Sequence, residues 1–234
     1  GHADRGEFLH GRTVTHASHA DRTMTAFLPA VYPSRYPFGP RGSHTGGVGV
    51  TAAIVEPETM QVVSAVLALV AAALALVVVA ARLLAGRVAW AAACSERVAR
   101  HRTPITLALA GTAMVGSLYF SEVAHYVPCR LCWFQRVAMY PIALVALVAL
   151  VRRDPAVRWY AASMAAVGAA ISAYHYLIEW KPELDSGTCE LFGPACTDIW
   201  FRTWGFATLS FMALGAFAAI LAVNLIPGPT TGRP

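Results

Sequence analysis

The sequence predicts an all-α integral membrane protein, with a four-helix transmembrane bundle as its core and one extra transmembrane helix on the N-terminal side. Hydrophobic residues make up 57% of the 234 residues, charged residues make up only 13%, and the mean hydropathy is +0.53. A water-soluble domain of this size exposes more polar side chains than that. The apolar residues also form blocks close to the ~20 residues that a helix needs to cross a bilayer.

The region before the first apolar block has a different composition. Residues 1–59 are rich in Gly, His, Thr, Pro and Arg and show no sustained apolar period. A segment of this kind has too little apolar surface to fold around, so we expect a disordered or non-native extension. Met60 stands directly before the first apolar block. We therefore expect the functional protein to begin near Met60.

Five apolar stretches are predicted to cross the membrane, at 61–81, 104–124, 133–151, 159–178 and 203–226. The first lies in a region that we predict as an extra transmembrane helix followed by a basic cytoplasmic loop, residues 60–102. The other four form the predicted core, residues 103–226. Residues 227–234 are predicted to be a cytoplasmic tail.

The arginines predict the orientation of the spans. They cluster after the first span and after the third, at Arg82, Arg87, Arg97, Arg100, Arg102, Arg152, Arg153 and Arg158. Loops rich in Lys and Arg stay in the cytoplasm, so the loops at about 125–132 and 179–202 are predicted to face outward. The same arginines account for the net charge of +5 without any nucleic-acid partner. The sequence therefore predicts a multi-pass membrane protein.

Four of the five cysteines form two close pairs, one in each predicted outer loop. Cysteine pairs outside the cytoplasm usually form disulfides. Two pairs on one side of the membrane are predicted to lie close enough to exchange bonds. The fifth cysteine, Cys94, falls in the predicted cytoplasmic loop and receives no role.

Cys129 and Cys132 form a C-x-x-C at the start of the third span. A helix N-terminus favours a thiolate through its dipole and its unpaired N–H groups. Arg136 lies four residues after Cys132, on the same helical face. An arginine inside a span is costly and usually faces the bundle interior. We expect Arg136 to stabilise the Cys132 thiolate and an anionic quinone oxygen, unless its side chain simply reaches the outer surface.

Cys189 and Cys196 enclose a short turn that contains Gly and Pro. One interpretation is a structural disulfide that closes the loop. The other is a redox-active bond in an accessible loop, open to a partner's thiolate. His175, near the outer end of the fourth span, is likewise a candidate for a quinone pocket or for a hydrogen bond between helices.

The core resembles the bacterial disulfide bond formation protein B family, especially its shorter thiol-oxidoreductase C branch. The similarity covers about 104–226 and includes both cysteine pairs in order. The matching stretches are 118–123 (LYFSEV), 128–136 (PCRLCWFQR), Tyr140-Pro141, 172–176 (SAYHY) and the loop with Cys189 and Cys196. A C-x-x-C motif alone is weak evidence for this family. A C-x-x-C-x-x-x-R motif at the start of a membrane helix, followed by a second cysteine pair in an outer loop, is specific evidence.

The resemblance implies a quinone-dependent thiol oxidase of a bacterial inner (plasma) membrane, with its active cysteines on the outer face. Its cofactor would be ubiquinone or menaquinone. Cys132 would lie beside the quinone with Arg136, and Cys129 would exchange with the loop pair. Cys189 would be attacked by a thioredoxin-like (DsbA-like) extracytoplasmic partner, and Cys196 would communicate with Cys129. Electrons would pass to the quinone pool of the membrane lipid, and no metal is expected.

Three other interpretations remain. A vitamin K epoxide reductase-like enzyme uses similar bundles and quinones, but its C-x-x-C pair follows the loop pair, whereas here it comes first. A structural zinc on the four outer cysteines is the second, although Arg136 is a poor neighbour for a cation. A non-enzymatic membrane protein with two structural disulfides is the third.

Overall fold

The computed structural model describes residues 56–185 and 194–227. All of them belong to one of two compact units, residues 53–234. The predicted extension and tail lie almost wholly outside the described residues. The first helix nevertheless begins at Pro57, three residues before Met60.

Six α-helices occur within the described residues: α1 Pro57–Leu84, α2 Ala89–Arg100, α3 Arg102–Leu118, α4 Arg130–Arg152, α5 Val157–Trp180 and α6 Leu209–Leu225. A π-helical turn, Tyr119–Val123, extends α3, and a 3-10 turn, Pro182–Leu184, follows α5. Four helices are long and apolar enough to span a membrane: α1, α3 with its π-turn, α4 and α5. The predicted class, an all-α membrane bundle, is confirmed.

Two elements differ from the prediction. The last helix has 17 residues and begins at Leu209, not at 203. Thr203 and Ala207 pair as an antiparallel bridge, and the intervening Gly205 has a φ of +80°, so this stretch is a tight turn. In addition, the predicted basic loop contains the 12-residue helix α2, because alanine, the best helix former, dominates its first half.

Small residues allow the helices to approach closely. A Cβ atom at Gly168 of α5 would collide with the Phe217 ring of α6. A Cβ at Gly215 of α6 would lie 2.9 Å from the Ala68 carbonyl oxygen of α1. Glycine at a helix–helix contact is typical of membrane bundles, where tight van der Waals packing replaces the hydrophobic effect as the driving force.

Hydrogen bonds between helix ends define the two ends of the bundle. Gln61 at the start of α1 donates to the Tyr126 hydroxyl after α3, at 2.9 Å. Thr208, the N-cap of α6, donates to Glu179 at the end of α5, at 2.7 Å. At the opposite end, Arg102 of α3 donates to the carbonyl oxygen of Ile226 after α6. The segments that bear Cys129 and Cys196 share the first end.

Candidate active site

The C-x-x-C pair lies at the N-terminus of α4. Cys129 is the N-cap residue, and its Sγ accepts a hydrogen bond from the Cys132 backbone N–H at 3.3 Å. Both cysteines are free thiols, and their Sγ atoms are 2.9 Å apart. The helix N-terminus therefore acts directly on Cys129.

The surroundings of Cys129 favour its thiolate. The pKa of the Cys129 thiol is lowered to about 5, first by the hydrogen bond from the Cys132 thiol and then by the hydrogen bond and charge of His175. Burial opposes this shift, since Cys129 is only 5% exposed. A thiolate at this position attacks a disulfide more readily than a thiol does.

His175 of α5 connects the two cysteine segments. Its Nε2 lies 3.7 Å from Cys129 Sγ and 3.0 Å from the Cys196 carbonyl oxygen. Its Nδ1 lies 3.2 Å from Nε2 of Gln135. When the Gln135 amide donates to Nδ1, the imidazole proton is held on Nε2, where it faces Cys129 and Cys196.

A buried polar chain extends from His175 toward α6. Glu179 Oε1 lies 3.8 Å from His175 Nε2, and Glu179 Oε2 accepts the hydrogen bond from Thr208. The Thr208 hydroxyl lies 2.9 Å from that of Ser210. All four residues are buried. Burying a polar group in a helix bundle costs free energy unless the group is hydrogen-bonded. The contacts among these four residues reduce that cost.

Cys196 packs against the C-x-x-C pair. It is fully buried and forms one apolar cluster with Cys129 and Ile178, against which Cys132 also packs. Cys196 is in a disulfide, so it is not available as a thiolate ligand for a zinc ion bound by four cysteines. Its predicted partner in the loop, Cys189, lies outside the described residues.

A cavity of about 320 Å³ lies on the other side of Cys132. Cys132, Gln135, Arg136 and Tyr140 of α4 line it, and the rest of the lining is mostly apolar. The volume is within the range usual for small-molecule sites, ~300–1,000 Å³. Hydrogen-bond donors at one end and apolar side chains elsewhere fit a quinone, which has a polar ring and an apolar tail.

Arg136 is positioned by its neighbours. Its Nη2 donates to the Ser117 carbonyl oxygen at the end of α3, at 3.0 Å, and the guanidinium lies 5.2 Å from the centre of the Trp133 ring. Ser117 and Arg136 both line the cavity. The guanidinium is therefore held inside the bundle rather than extended to the outer surface.

His175 does not line this large cavity. It lines a second, much smaller cavity with Cys129, Cys132 and Glu179. The sequence interpretation made His175 a candidate for cofactor binding, but its side chain lines the small cavity. We call this small cavity, with Cys129 and Cys132, the sulfur side of the site. His175 therefore contacts Cys129, and helical periodicity alone does not reveal this contact.

Part of this chain matches a described protein family. A family model described as "Disulfide bond formation protein DsbB" matches residues 99–226, more than half of the chain. The chain belongs to the DsbB family. This membership supports a role in disulfide bond formation, as a thiol–disulfide oxidoreductase in the broad sense.

Individual relatives carry related names. The chain is 39% identical to the "Probable disulfide formation protein C" of Halalkalibacterium halodurans, over 49% of this chain and 84% of the relative. It is 41% identical to the "Disulfide bond formation protein C" of Bacillus subtilis, over 47% of this chain and 79% of the relative. No solved structure matches this chain.

The DsbB-family match begins at residue 99, so α1 lies outside it. The match contains every predicted site residue: Cys129, Cys132, Arg136, His175, Cys189 and Cys196. It also contains Gln135, Glu179 and Thr208, which the sequence interpretation missed. One signal for Glu179 was available, since it lies four residues after His175 and hence on the same helical face.

Cys129, Cys132 and His175 are also the one group among the described residues with the spacing of metal ligands. Their ligand atoms lie within 4.8 Å of one another. Two thiolates and an imidazole suit zinc. The two sulfurs can bind a metal ion or bond to each other as a disulfide, but they cannot do both at once.

Proposed function

We propose that this protein is a quinone-dependent thiol oxidase of the bacterial plasma membrane, which reoxidises a thioredoxin-like, DsbA-like partner outside the cytoplasm and thereby drives disulfide bond formation. One observation carries the proposal. Cys132 borders both the sulfur-side cavity with Cys129 and His175 and the large cavity with Arg136. The dithiol thus lies between the two cavities. The sulfur-side cavity is next to Cys196, with which the dithiol can exchange disulfides, and the large cavity suits a lipid-soluble oxidant.

The first step is exchange at the loop. A partner thiolate attacks Cys189 of a Cys189–Cys196 disulfide, forms a mixed disulfide and releases the Cys196 thiolate. The second partner thiol then displaces Cys189, so that the partner leaves with a disulfide and the loop gains two electrons and two protons. Exchange of this kind requires access and alignment of the three sulfurs, which a loop provides.

The second step passes the electrons inward. The Cys196 thiolate attacks the sulfur of Cys129 in a Cys129–Cys132 disulfide, and Cys189 then resolves the mixed bond. The loop returns to its disulfide, and Cys129 and Cys132 become thiols. Free thiols at Cys129 and Cys132, beside a disulfide-bonded Cys196, correspond to the state that follows this exchange.

The third step is oxidation of the dithiol. Cys129 and Cys132 close to a disulfide, and two electrons and two protons leave them. Before closure, the proton on His175 Nε2 stabilises the Cys129 thiolate, and Glu179 Oε1 lies 3.8 Å from the same nitrogen. A bound quinone, either ubiquinone or menaquinone, would accept these two electrons and two protons.

Residues of the large cavity would hold the quinone. Arg136 and Tyr140 offer donors to a ring oxygen as it gains negative charge, and Cys132 lies in the same wall. The guanidinium is already fixed by Ser117, so little reorganisation is needed. The location also agrees with the arginine pattern, which predicts that the cysteine end of the bundle faces outward.

The proposal is tested by quinone reduction with the purified full chain and a reduced thioredoxin-like donor. We expect Cys132→Ser to abolish turnover. Cys94→Ser is the matched control, because Cys94 is also a free thiol but lies in α2, and it should behave as the wild type. Full turnover by Cys132→Ser would contradict the proposed function.

A zinc site is the alternative that the spacing of Cys129, Cys132 and His175 supports. It predicts one tightly bound zinc per chain and protection of both thiols from alkylation until a chelator is added. The oxidase predicts thiols that alkylate without a chelator and become protected when quinone is added. Metal analysis combined with mass spectrometry of the alkylated protein distinguishes the two.

A further inference from the structure

The first helix, α1, lies wholly outside the family match and forms one wall of the large cavity. Its lining residues include Met60, Ser64, Leu67, Ala68, Ala71 and Leu74. These positions recur at three- and four-residue intervals, so they form one face of the helix. Among the described helices, α1 packs along α6 and has no comparably close packing with α3 or α4. The cavity occupies the space that this arrangement leaves.

Two contacts fix α1 at the cavity. Gln61 donates to the Tyr126 hydroxyl, and the Tyr126 ring stacks on Trp200 with 4.9 Å between ring centres. Tyr126 and Trp200 both line the cavity. Farther along the helix, Ala68 meets Gly215 of α6 so closely that no Cβ fits between them. The α1 wall is therefore held both at its cysteine end and near its middle.

The polar groups of the cavity lie toward the cysteine end, and the α1 wall continues away from them. Leu74 is 13 residues after Gln61 in the same helix, so it lies about 20 Å farther along the bundle at 1.5 Å per residue. Apart from Ser64, the α1 residues named above as lining the cavity have apolar side chains. A ring bound beside Arg136 would therefore have an apolar chain directed along α1.

Leu67 shows that this wall is not sealed. It lines the cavity and is nevertheless 44% exposed. In a bundle that spans a membrane, such a residue lies between the cavity and the lipid. The α1 wall thus borders a lateral opening through which an apolar chain extends toward the bilayer.

We propose that α1 is the tail-binding wall of the quinone site, so that affinity for a quinone depends on its apolar tail through the face of α1 that contains Leu67 and Ala71. This inference rests on the proposed function, because it assumes that the cavity holds a quinone. It goes further in assigning a ligand contact to a helix that the family match does not include.

The test measures binding of radiolabelled decylubiquinone to the purified full chain, without turnover. Dimethoxymethylbenzoquinone, which has the same ring without the long tail, is the second probe. We expect Leu67→Trp to weaken decylubiquinone binding on the order of tenfold by filling the cavity, and to change binding of the tail-less ring little. Leu69→Trp is the matched control, since Leu69 is also exposed, at 39%, but does not line the cavity.

A second variant covers the possibility that tryptophan disturbs folding. Leu67→Ala removes apolar contacts without adding volume, and we expect it to weaken decylubiquinone binding by about threefold. Decylubiquinone with a photoreactive tail should also label peptides from residues 57–84 in the wild type.

Several results would overturn the proposal. These are wild-type affinity in both Leu67 variants, an equal loss for the two probes, or tail labelling confined to other helices. A wild-type protein that binds neither probe, and no naphthoquinone analogue of menaquinone either, would contradict the proposed function itself. Binding that is unaffected by α1 variants would leave the proposed function intact and remove only the role of α1.

Discussion

Nε2 of His175 lies 3.7 Å from Sγ of Cys129, although 46 residues separate the two in the chain. The same nitrogen lies 3.0 Å from the Cys196 carbonyl oxygen. One imidazole thus contacts a sulfur of the first cysteine pair and the backbone of the second. This relationship organises the sulfur side of the site and leads to the first two predictions.

The first prediction is that Cys129 is a thiolate at neutral pH. Its pKa is lowered to about 5, below the ordinary value of a cysteine. The thiolate should therefore persist as pH falls from neutral and be lost only as pH passes through about 5. The measurement is the pH dependence of ultraviolet thiolate absorbance in the reduced protein, with Cys129→Ser subtracted. A titration midpoint near 8.5, typical of an unperturbed thiol, would contradict this prediction. As a control, Cys94→Ser should leave the titration curve unchanged.

The second prediction concerns His175. Replacing it by Phe removes a hydrogen bond and a positive charge from Cys129, so the pKa of the Cys129 thiol should rise toward its ordinary range. The same absorbance titration detects the shift. His101→Phe is the control, because His101 is exposed and lies just before α3, at the end of the bundle away from the cysteines. An unchanged titration in His175→Phe would show that the contact has no electrostatic effect.

The third prediction concerns Thr208, which is both the N-cap of α6 and a donor to Glu179. Thr208→Val keeps the shape but leaves the Phe211 N–H and the Glu179 carboxylate without this partner. Loss of the cap alone costs roughly 0.5–2 kcal/mol, so the unfolding midpoint in detergent should fall. Thr208→Ser retains the hydroxyl and should restore most of the stability. Equal midpoints for the two variants would exclude a role for the hydroxyl.

The fourth prediction separates exchange from quinone reduction. Arg136→Ala removes the guanidinium from the large cavity but leaves the sulfur side intact. We expect a loss of quinone turnover on the order of 10²–10³-fold, the usual effect of removing a hydrogen-bond donor to developing negative charge. Oxidation of one equivalent of donor in a single turnover should survive. Loss of that single turnover would place Arg136 in the exchange step or in folding.

Much of the fold follows from composition. Apolar runs of membrane-spanning length leave the backbone no alternative to a helix, because lipid offers it no hydrogen bonds. The start of α6 was predicted six residues too early, since the aromatic residues of the 203–208 turn are as apolar as those of a helix. The helix α2 was read as a loop because its arginines were interpreted only for orientation.

The site was less predictable than the fold. The spacing of Cys129, Cys132 and Arg136 predicted a dithiol beside a buried cation, because those residues share one helix. Gln135, Glu179 and Thr208 enter the site through contacts between helices, which local sequence does not specify. The placement of His175 beside Cys129 depends likewise on the rotation of α5 in the bundle.

In the proposed relay, the two cysteine pairs exchange disulfides through a bond between Cys129 and Cys196, and this bond can be trapped. In a Cys132→Ser/Cys189→Ser double variant, Cys129 and Cys196 keep their thiols but lose their usual partners. Because both belong to one buried cluster beside His175, we expect mass spectrometry of the oxidised protein to find a Cys129–Cys196 linkage within the chain. Two thiols that stay free, or that bond only between chains, would contradict the relay.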